Sequence, residues 1–225
     1  MKVISVIITC AGNHSRFGKN KLLADLDGKP IFIRTLLQFS KVKKIDEIIV
    51  PVREEYKNKF KKLIEAEKIK VKLIKGGEER YISAYNGVRI SKGKYILIHD
   101  GARPLVPVKL IKKIIKEVKQ HQAVISAVRP STCVKKGNGF YVENCLARSE
   151  SWLGQTPQAF SREIILKAYK KAIQDKNFNG LDDCELVSSL GVKVKIINGD
   201  KANIKITFPE DLIIARSLFK MRKGV

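Results

Sequence analysis

The sequence predicts an α/β protein built on a mostly parallel sheet, with helices on both faces and one protruding β-arm. Three observations carry that prediction. Short apolar runs rich in β-branched residues alternate with longer segments of helical period from Val3 to Val128, the pattern of repeated strand–helix–strand units. The runs are apolar throughout rather than alternating, as in strands covered on both faces. Polar, glycine-bearing loops follow the first, third and fourth runs, and in such sheets ligands sit beyond the carboxyl ends of the strands.

Val3 to Thr9 is the first strand. The loop after it carries the small residues Ala11 and Gly12 and then Arg16, Gly18, Lys19 and Lys21. A small-residue turn followed by cations is the usual form of a phosphate site. It is not a P-loop: five residues separate Gly12 from Gly18, and Asn20 stands where a metal-binding hydroxyl belongs. Nor is it a dinucleotide fingerprint, because His14 occupies the second glycine position. Asp27 to Pro30 is a turn, with Pro30 placed to open a helix to Phe39. Strands follow at Ile45–Val52, Val71–Ile74, Tyr95–Ile98 and Ala123–Val128. Helices lie between them at Glu54–Glu67, Tyr81–Ile90 and from Pro107 to about Lys119.

After Val128 the alternation breaks. Arg129 to Arg148 has no helical period, and Gly137-Asn138-Gly139 between two short polar–apolar runs predicts a hairpin. Gln155 to Phe160 returns as a strand, and Ser161 caps a helix to about Ile173. A shorter helix starts at Asp182 or Asp183 and stops at Gly191. Val192–Ile197 and Asn203–Ile206 are expected as late strands. Thr207-Phe-Pro-Glu210 fits a capping box for a last helix to about Met221. The whole, 1–225, is expected to be one domain with an excursion at about 129–157.

The chain has 45 lysines and arginines against 22 acids, a net charge of +23. That charge raises nucleic-acid binding as an alternative. However, aromatic residues are not interleaved with the basic runs, and runs such as Lys109 to Lys119 place cations opposite an apolar stripe, as a solvated surface does. Cys10, Cys133, Cys145 and Cys184 form no Cys-x-x-Cys and have no histidine at metal-ligand spacing. No signal-peptide pattern or apolar run of membrane length is present. The expectation is a soluble, cytoplasmic protein with reduced thiols, bound to neither membrane nor nucleic acid.

The three loops suit transfer of a nucleotidyl group. That chemistry needs donors and cations where charge develops on a triphosphate. Backbone N–H groups near Gly12, with Arg16 and Lys21, provide them. Asp100 is a candidate ligand for a magnesium ion (Mg2+), which takes one or two carboxylates together with phosphate oxygens and water. Gly76-Gly77 would let a flat base lie on the backbone, with Glu78 accepting from an exocyclic amine. His99 is expected to be structural.

The blocks Ala11-Gly12…Arg16…Lys21, Gly76-Gly77-Glu78-Glu79-Arg80…Ser83, His99-Asp100-Gly101-Ala102-Arg103-Pro104, Arg148, Gln155-Thr156-Pro157-Gln158-Ala159-Phe160 and Asn203-Ile204-Lys205-Ile206-Thr207 resemble, in order and over nearly the whole chain, the 2-C-methyl-D-erythritol 4-phosphate cytidylyltransferases. The resemblance implies a Rossmann-like nucleotidyltransferase fold, CTP, Mg2+, a polyol phosphate acceptor and a homodimer joined by the arm. It puts catalytic cations at Arg16, Lys21, Arg148 and Lys205. It puts nucleotide contacts at Cys10, Ala11, Gly12, Gly77, Glu78, Ser83, Asp100 and Gly101, and acceptor contacts at Arg103, Thr132, Thr156 and Asp182. The chain departs from the family pattern at Cys10, at Asn20 and Leu22 around Lys21, at Glu78 in place of aspartate, and by one extra residue before Cys133. A ribitol-5-phosphate cytidylyltransferase has a similar pattern, and a non-catalytic nucleotide sensor is a third reading that the retained cations argue against.

Overall fold

The computed structural model describes residues 3–12, 17, 20–175 and 182–223. Arg16, among the expected catalytic cations, lies outside the described residues. The elements run in order β1 (Ile4–Thr9), β2 (Asp25–Leu26), β3 (Lys29–Pro30), α1 (Ile31–Ser40), β4 (Glu47–Val52), α2 (Lys57–Ala66), β5 (Lys72–Lys75), α3 (Arg80–Ile90), β6 (Tyr95–Asp100), α4 (Val108–His121) and β7 (Ala123–Val128). Then come β8 (Val134–Asn138), β9 (Tyr141–Leu146), β10 (Leu153–Ser161), α5 (Arg162–Gln174), α6 (Asp183–Ser188), β11 (Lys195–Asn198) and α7 (Pro209–Lys223).

The main sheet has the order β11-β7-β10-β6-β1-β4-β5. β1 pairs in parallel with β4 and β6, β4 with β5, and β7 with β11. β10 alone is reversed, antiparallel to both β6 and β7. The predicted mostly parallel sheet is therefore present, with its one reversed strand near the middle. The hairpin brings this about: a chain that leaves β7 at its carboxyl end and turns back through a hairpin re-enters the sheet from that same end.

Strand β1 is buried along its length except for Thr9, with Val6, Ile7 and Ile8 inaccessible to solvent. Those side chains divide between two cores, one on each face, as a doubly covered sheet requires. α4 shows how the lysine-rich helices serve such a sheet. Leu110, Ile111, Ile114, Ile115 and Val118 form its buried stripe, each gaining about 1.5–3 kcal/mol on full burial, while Lys109, Lys112, Lys113 and Lys116 fall outside it. The run Asn203–Ile206, expected as a strand, is not one. Its backbone joins no ladder: Asn203 N–H donates to Asp200 O and Ile206 N–H to Ala102 O, while the Asn203 and Lys205 side chains reach Thr156 of β10 and Asp100 of β6, so the run acts as a strap across the site. The expected helix start at Pro30 is shifted by one residue, because Pro30 pairs with Asp25 in the two-residue ladder of β2 and β3 and precedes α1 as its N-cap. Among the described residues no helix is long and apolar enough to cross a membrane.

Candidate active site

Three loops converge at the carboxyl ends of β1, β5 and β6. Gly76 N–H donates to Val52 O at 2.8 Å, and a Cβ at Gly76 would overlap the Ala11 methyl. A Cβ at Gly101 would stand 2.5 Å from Cys10 Sγ and 3.0 Å from Thr9 O. Any larger residue at either position would push the loops apart. A Cβ at Gly77 would likewise overlap Ile82, so both glycines are held against the chain's own side chains. Gly12 differs: among the described residues nothing lies within 4 Å of the Cβ it lacks. Ser83 is buried, and its Oγ accepts from Gly77 N–H at 3.0 Å, pinning the glycine loop to α3. Glu78 is exposed. Cys10 and Ala11 are buried beneath the loop. Lys21 begins a short 3-10 turn whose N-cap, Asn20, accepts from Leu22 N–H.

Asp100 ends β6 and is 6% exposed. Its Oδ1 accepts from Arg80 Nε at 2.9 Å, while Oδ2 lies 3.1 Å from Lys205 Nζ and 3.4 Å from Arg103 Nε. Burial pushes the carboxyl up, but Lys205, Arg80 and Arg103 together outweigh it and hold the group well below the usual carboxylate range. Asp100 is therefore ionised within a ring of three cations.

Lys205 reaches that ring because its loop is tied down on both sides. Asn203 Nδ2 donates to Thr156 O at 2.8 Å, Gln155 Nε2 donates to Asp200 O at 2.9 Å, and Ile206 N–H donates to Ala102 O at 2.9 Å. Arg103 closes the arrangement by donating to Asn203 O at 2.9 Å. The three sequence blocks that contain Asp100, Thr156 and Lys205 are thus one structural unit.

His99 is fully buried, and its role follows from its bonds. Nε2 donates to Arg103 O at 3.2 Å, which leaves Nδ1 to accept from Thr156 Oγ1 at 2.9 Å. Thr156 Oγ1 in turn accepts from Asp100 N–H at 3.1 Å. Burial pushes the imidazole down to about 3, so it is neutral and structural. Thr156, expected at the acceptor, spends its hydroxyl on this relay. Asp182, expected there too, caps α6 through Glu185 N–H at 2.9 Å and accepts from Gln158 Nε2 at 2.6 Å. Thr132 and Arg148 lie at the two feet of the β8–β9 hairpin and are exposed. Neither contributes to the bonds around Asp100.

Sequence reasoning missed two partners of this site. Arg80, quoted above without a role, also donates through its terminal nitrogen to Asp183 Oδ2 at 2.8 Å. Asp183 is buried and accepts from the Tyr169 hydroxyl at 2.5 Å. The adjacent acids at 182 and 183 were a signal, but only as a helix start.

A family model described as 2-C-methyl-D-erythritol 4-phosphate cytidylyltransferase matches residues 4–221. Curated relatives of that name include one from Geobacillus kaustophilus, 40% identical over 221 residues and 96% of both chains, and one from Bacillus cereus, 39% identical over 224 residues, 97% of this chain and 99% of the other. A solved structure, the 4-diphosphocytidyl-2C-methyl-D-erythritol synthase of Anaerococcus prevotii, superposes with a TM-score of 0.87 at 31% identity, over 97% of this chain and 96% of that one. With the sheet and the loop cluster described above, these matches define a nucleotidyltransferase. The chain belongs to the 2-C-methyl-D-erythritol 4-phosphate cytidylyltransferase family.

Proposed function

We propose that this chain transfers CMP from CTP to 2-C-methyl-D-erythritol 4-phosphate and releases pyrophosphate, a step of isoprenoid precursor synthesis. The observation that carries the reading is the Asp100 carboxylate, ionised among Arg80, Arg103 and Lys205 where the three loops meet. The family match over residues 4–221 selects the substrates, and favours neither a ribitol phosphate nor a nucleic acid.

The acceptor's phosphate monoester is mostly dianionic at neutral pH, with a second pKa of about 6. It can attack the α-phosphorus of CTP without a general base. The neutral His99, bonded at both nitrogens, agrees with that. Catalysis then falls to cations placed where charge develops. Arg16 and Lys21 serve the triphosphate, Lys205 and Arg103 the attacking phosphate, and the backbone around Gly12 the departing pyrophosphate. Asp100, a single ionised carboxylate, fits Mg2+, which needs few protein ligands beside phosphate oxygens; Asp100 would hold it. The ion, when bound, supplies charge neutralisation across the phosphates.

Thr132 and Arg148 are assigned to the acceptor of a second subunit. Among the described residues they do not meet the Asp100 cluster of their own chain. Beyond them the hairpin presents Phe140, Tyr141 and Val142 at 103%, 82% and 66% exposure. An isolated two-stranded hairpin with such a tip is stabilised by packing on another surface, and a second copy in a two-fold dimer provides one.

The test is pyrophosphate release from CTP and Mg2+ with 2-C-methyl-D-erythritol 4-phosphate, ribitol 5-phosphate or no acceptor. Release is expected with the first alone, and at least about tenfold less with UTP, because an unpaired acceptor at the cytosine amine costs roughly 1–3 kcal/mol. Faster release with ribitol 5-phosphate would transfer the assignment to that substrate.

A further inference from the structure

Two cysteines lie together outside the site. Cys133 precedes β8, and Cys145 pairs with Lys135 in the hairpin register. The two residues stand diagonally across the hairpin, both exposed, with their sulfurs 3.9 Å apart. The Lys135 ammonium donates to Cys145 Sγ. That bond, and a second from Cys133, lower the Cys145 thiol from its ordinary value, which favours the reactive thiolate. The other two thiols are protected. Burial and then Asp100 push Cys10 far up, and burial pushes Cys184 up to about 12. Exchangeable thiol chemistry is thereby confined to the foot of the hairpin.

We propose that Cys133 and Cys145 form a reversible disulfide within one chain, by exchange with a low-molecular-weight disulfide, and that this bond weakens binding of the polyol phosphate acceptor. The second half rests on the functional reading above. In the first step the Cys145 thiolate attacks one sulfur of the small disulfide, forming a mixed disulfide and releasing one small thiolate. Cys133 then gives up its proton and attacks Cys145 Sγ, releasing the second. The protein pair loses two electrons and two protons, and the small disulfide becomes two thiols.

The site consequence follows from the geometry. A disulfide needs its Cα atoms about 4.4–6.8 Å apart, whereas diagonal neighbours across an antiparallel pair stand about 7–8 Å apart, so closing the link draws the two strands together. The Val134–Leu146 and Lys135–Cys145 pairs resist that closure, and the strain falls on the hairpin feet. Thr132 adjoins Cys133, and Arg148 lies just beyond Cys145. Arg129, whose guanidinium stacks 3.8 Å from the centre of the Trp152 ring and donates to Arg148 O, ties the feet together. A displacement of about 1 Å in a positioning group can cost up to ~10²-fold. Both thiols are exposed on the chain, within reach of a small disulfide.

The experiment treats the full-length enzyme with glutathione disulfide. Peptides are mapped by mass spectrometry without reduction, and KM is measured for each substrate before and after dithiothreitol. The expected result is a Cys133–Cys145 link within one chain, an acceptor KM raised about tenfold or more, an unchanged KM for CTP, and reversal by the thiol. Cys145→Ser should keep wild-type KM values and no longer respond. Mixed disulfides alone, or a link between chains, would overturn the pairing. An unchanged acceptor KM in enzyme mapped as linked would overturn the effect on binding. If the reduced enzyme transfers no CMP at all, the functional reading falls and takes the acceptor half with it, while the map still decides the pairing.

Discussion

The Arg80 guanidinium stands 2.8 Å from the Asp183 carboxylate, across a sequence separation of 103 residues. The same guanidinium holds Asp100 at 2.9 Å, so Asp183 acts on the site through Arg80. Burial, then Asp183, push the Tyr169 phenol well above its usual range and keep it a donor to that carboxylate. Asp183 is therefore a positioning residue that need not touch substrate.

Asp183→Asn keeps the shape and removes the charge. Breaking a buried pair costs roughly 3–5 kcal/mol, but Arg80 retains Asp100 and its side chain is 29% exposed, so a loss of about 2–3 kcal/mol is expected in urea unfolding. Turnover should fall as Asp100 loses its frame. A variant within about 0.5 kcal/mol of wild type would show that this pair contributes nothing measurable.

Lys21→Ala should separate catalysis from folding. Lys21 is half-buried on the 3-10 turn that follows the first loop. Removing a cation aimed at transition-state charge costs on the order of 10²–10³ in turnover, with little change in the thermal midpoint. Near-normal turnover would return Lys21 to the solvated surface.

The buried histidine sets a pH dependence. His99 binds its proton only near pH 3 in the folded state, whereas an unfolded histidine does so near ~6.5. Between those values the unfolded chain holds the extra proton, so stability falls as pH falls. Its contribution is complete above ~6.5 and is lost progressively toward pH 3. The stability difference between wild type and His99→Asn should shrink by about 1.4 kcal/mol per pH unit below pH 6. A constant difference from pH 7 to pH 4 would mean that His99 protonates without disturbing the fold.

Arg148 gives a test of the dimer. If each hairpin completes its partner's site, Arg148→Ala and Lys21→Ala homodimers should both be nearly inactive. After subunit exchange, half the dimers are mixed, each with one intact site of two, and activity should recover to roughly a quarter of wild type in a symmetric pair. No recovery after proven exchange would place Arg148 at its own chain's site or outside catalysis.

Much of this protein was legible in local sequence. Apolar runs such as Val6–Ile8 and the stripe of α4 identify themselves by period, since burial on one face or two leaves a pattern in neighbouring residues. Glycines mark the loops, because Gly76 and Gly101 stand where a Cβ would strike Ala11 or Cys10. The hairpin was legible from Gly137-Asn138-Gly139, but its turn falls at Gly139-Phe140, because Gly137 and Asn138 pair with Val142 and Tyr141 inside the ladder. The reversed direction of β10, the use of Asn203–Ile206 as a strap, and the pairings Arg80–Asp183, Thr156–His99 and Lys205–Asp100 were decided only by the tertiary structure. Each joins segments far apart in the chain, and no period or turn propensity encodes the partner of a polar side chain. What selects these pairings is the cost of leaving buried donors and charges unsatisfied, and that cost exists only once the sheet has brought the strand ends together.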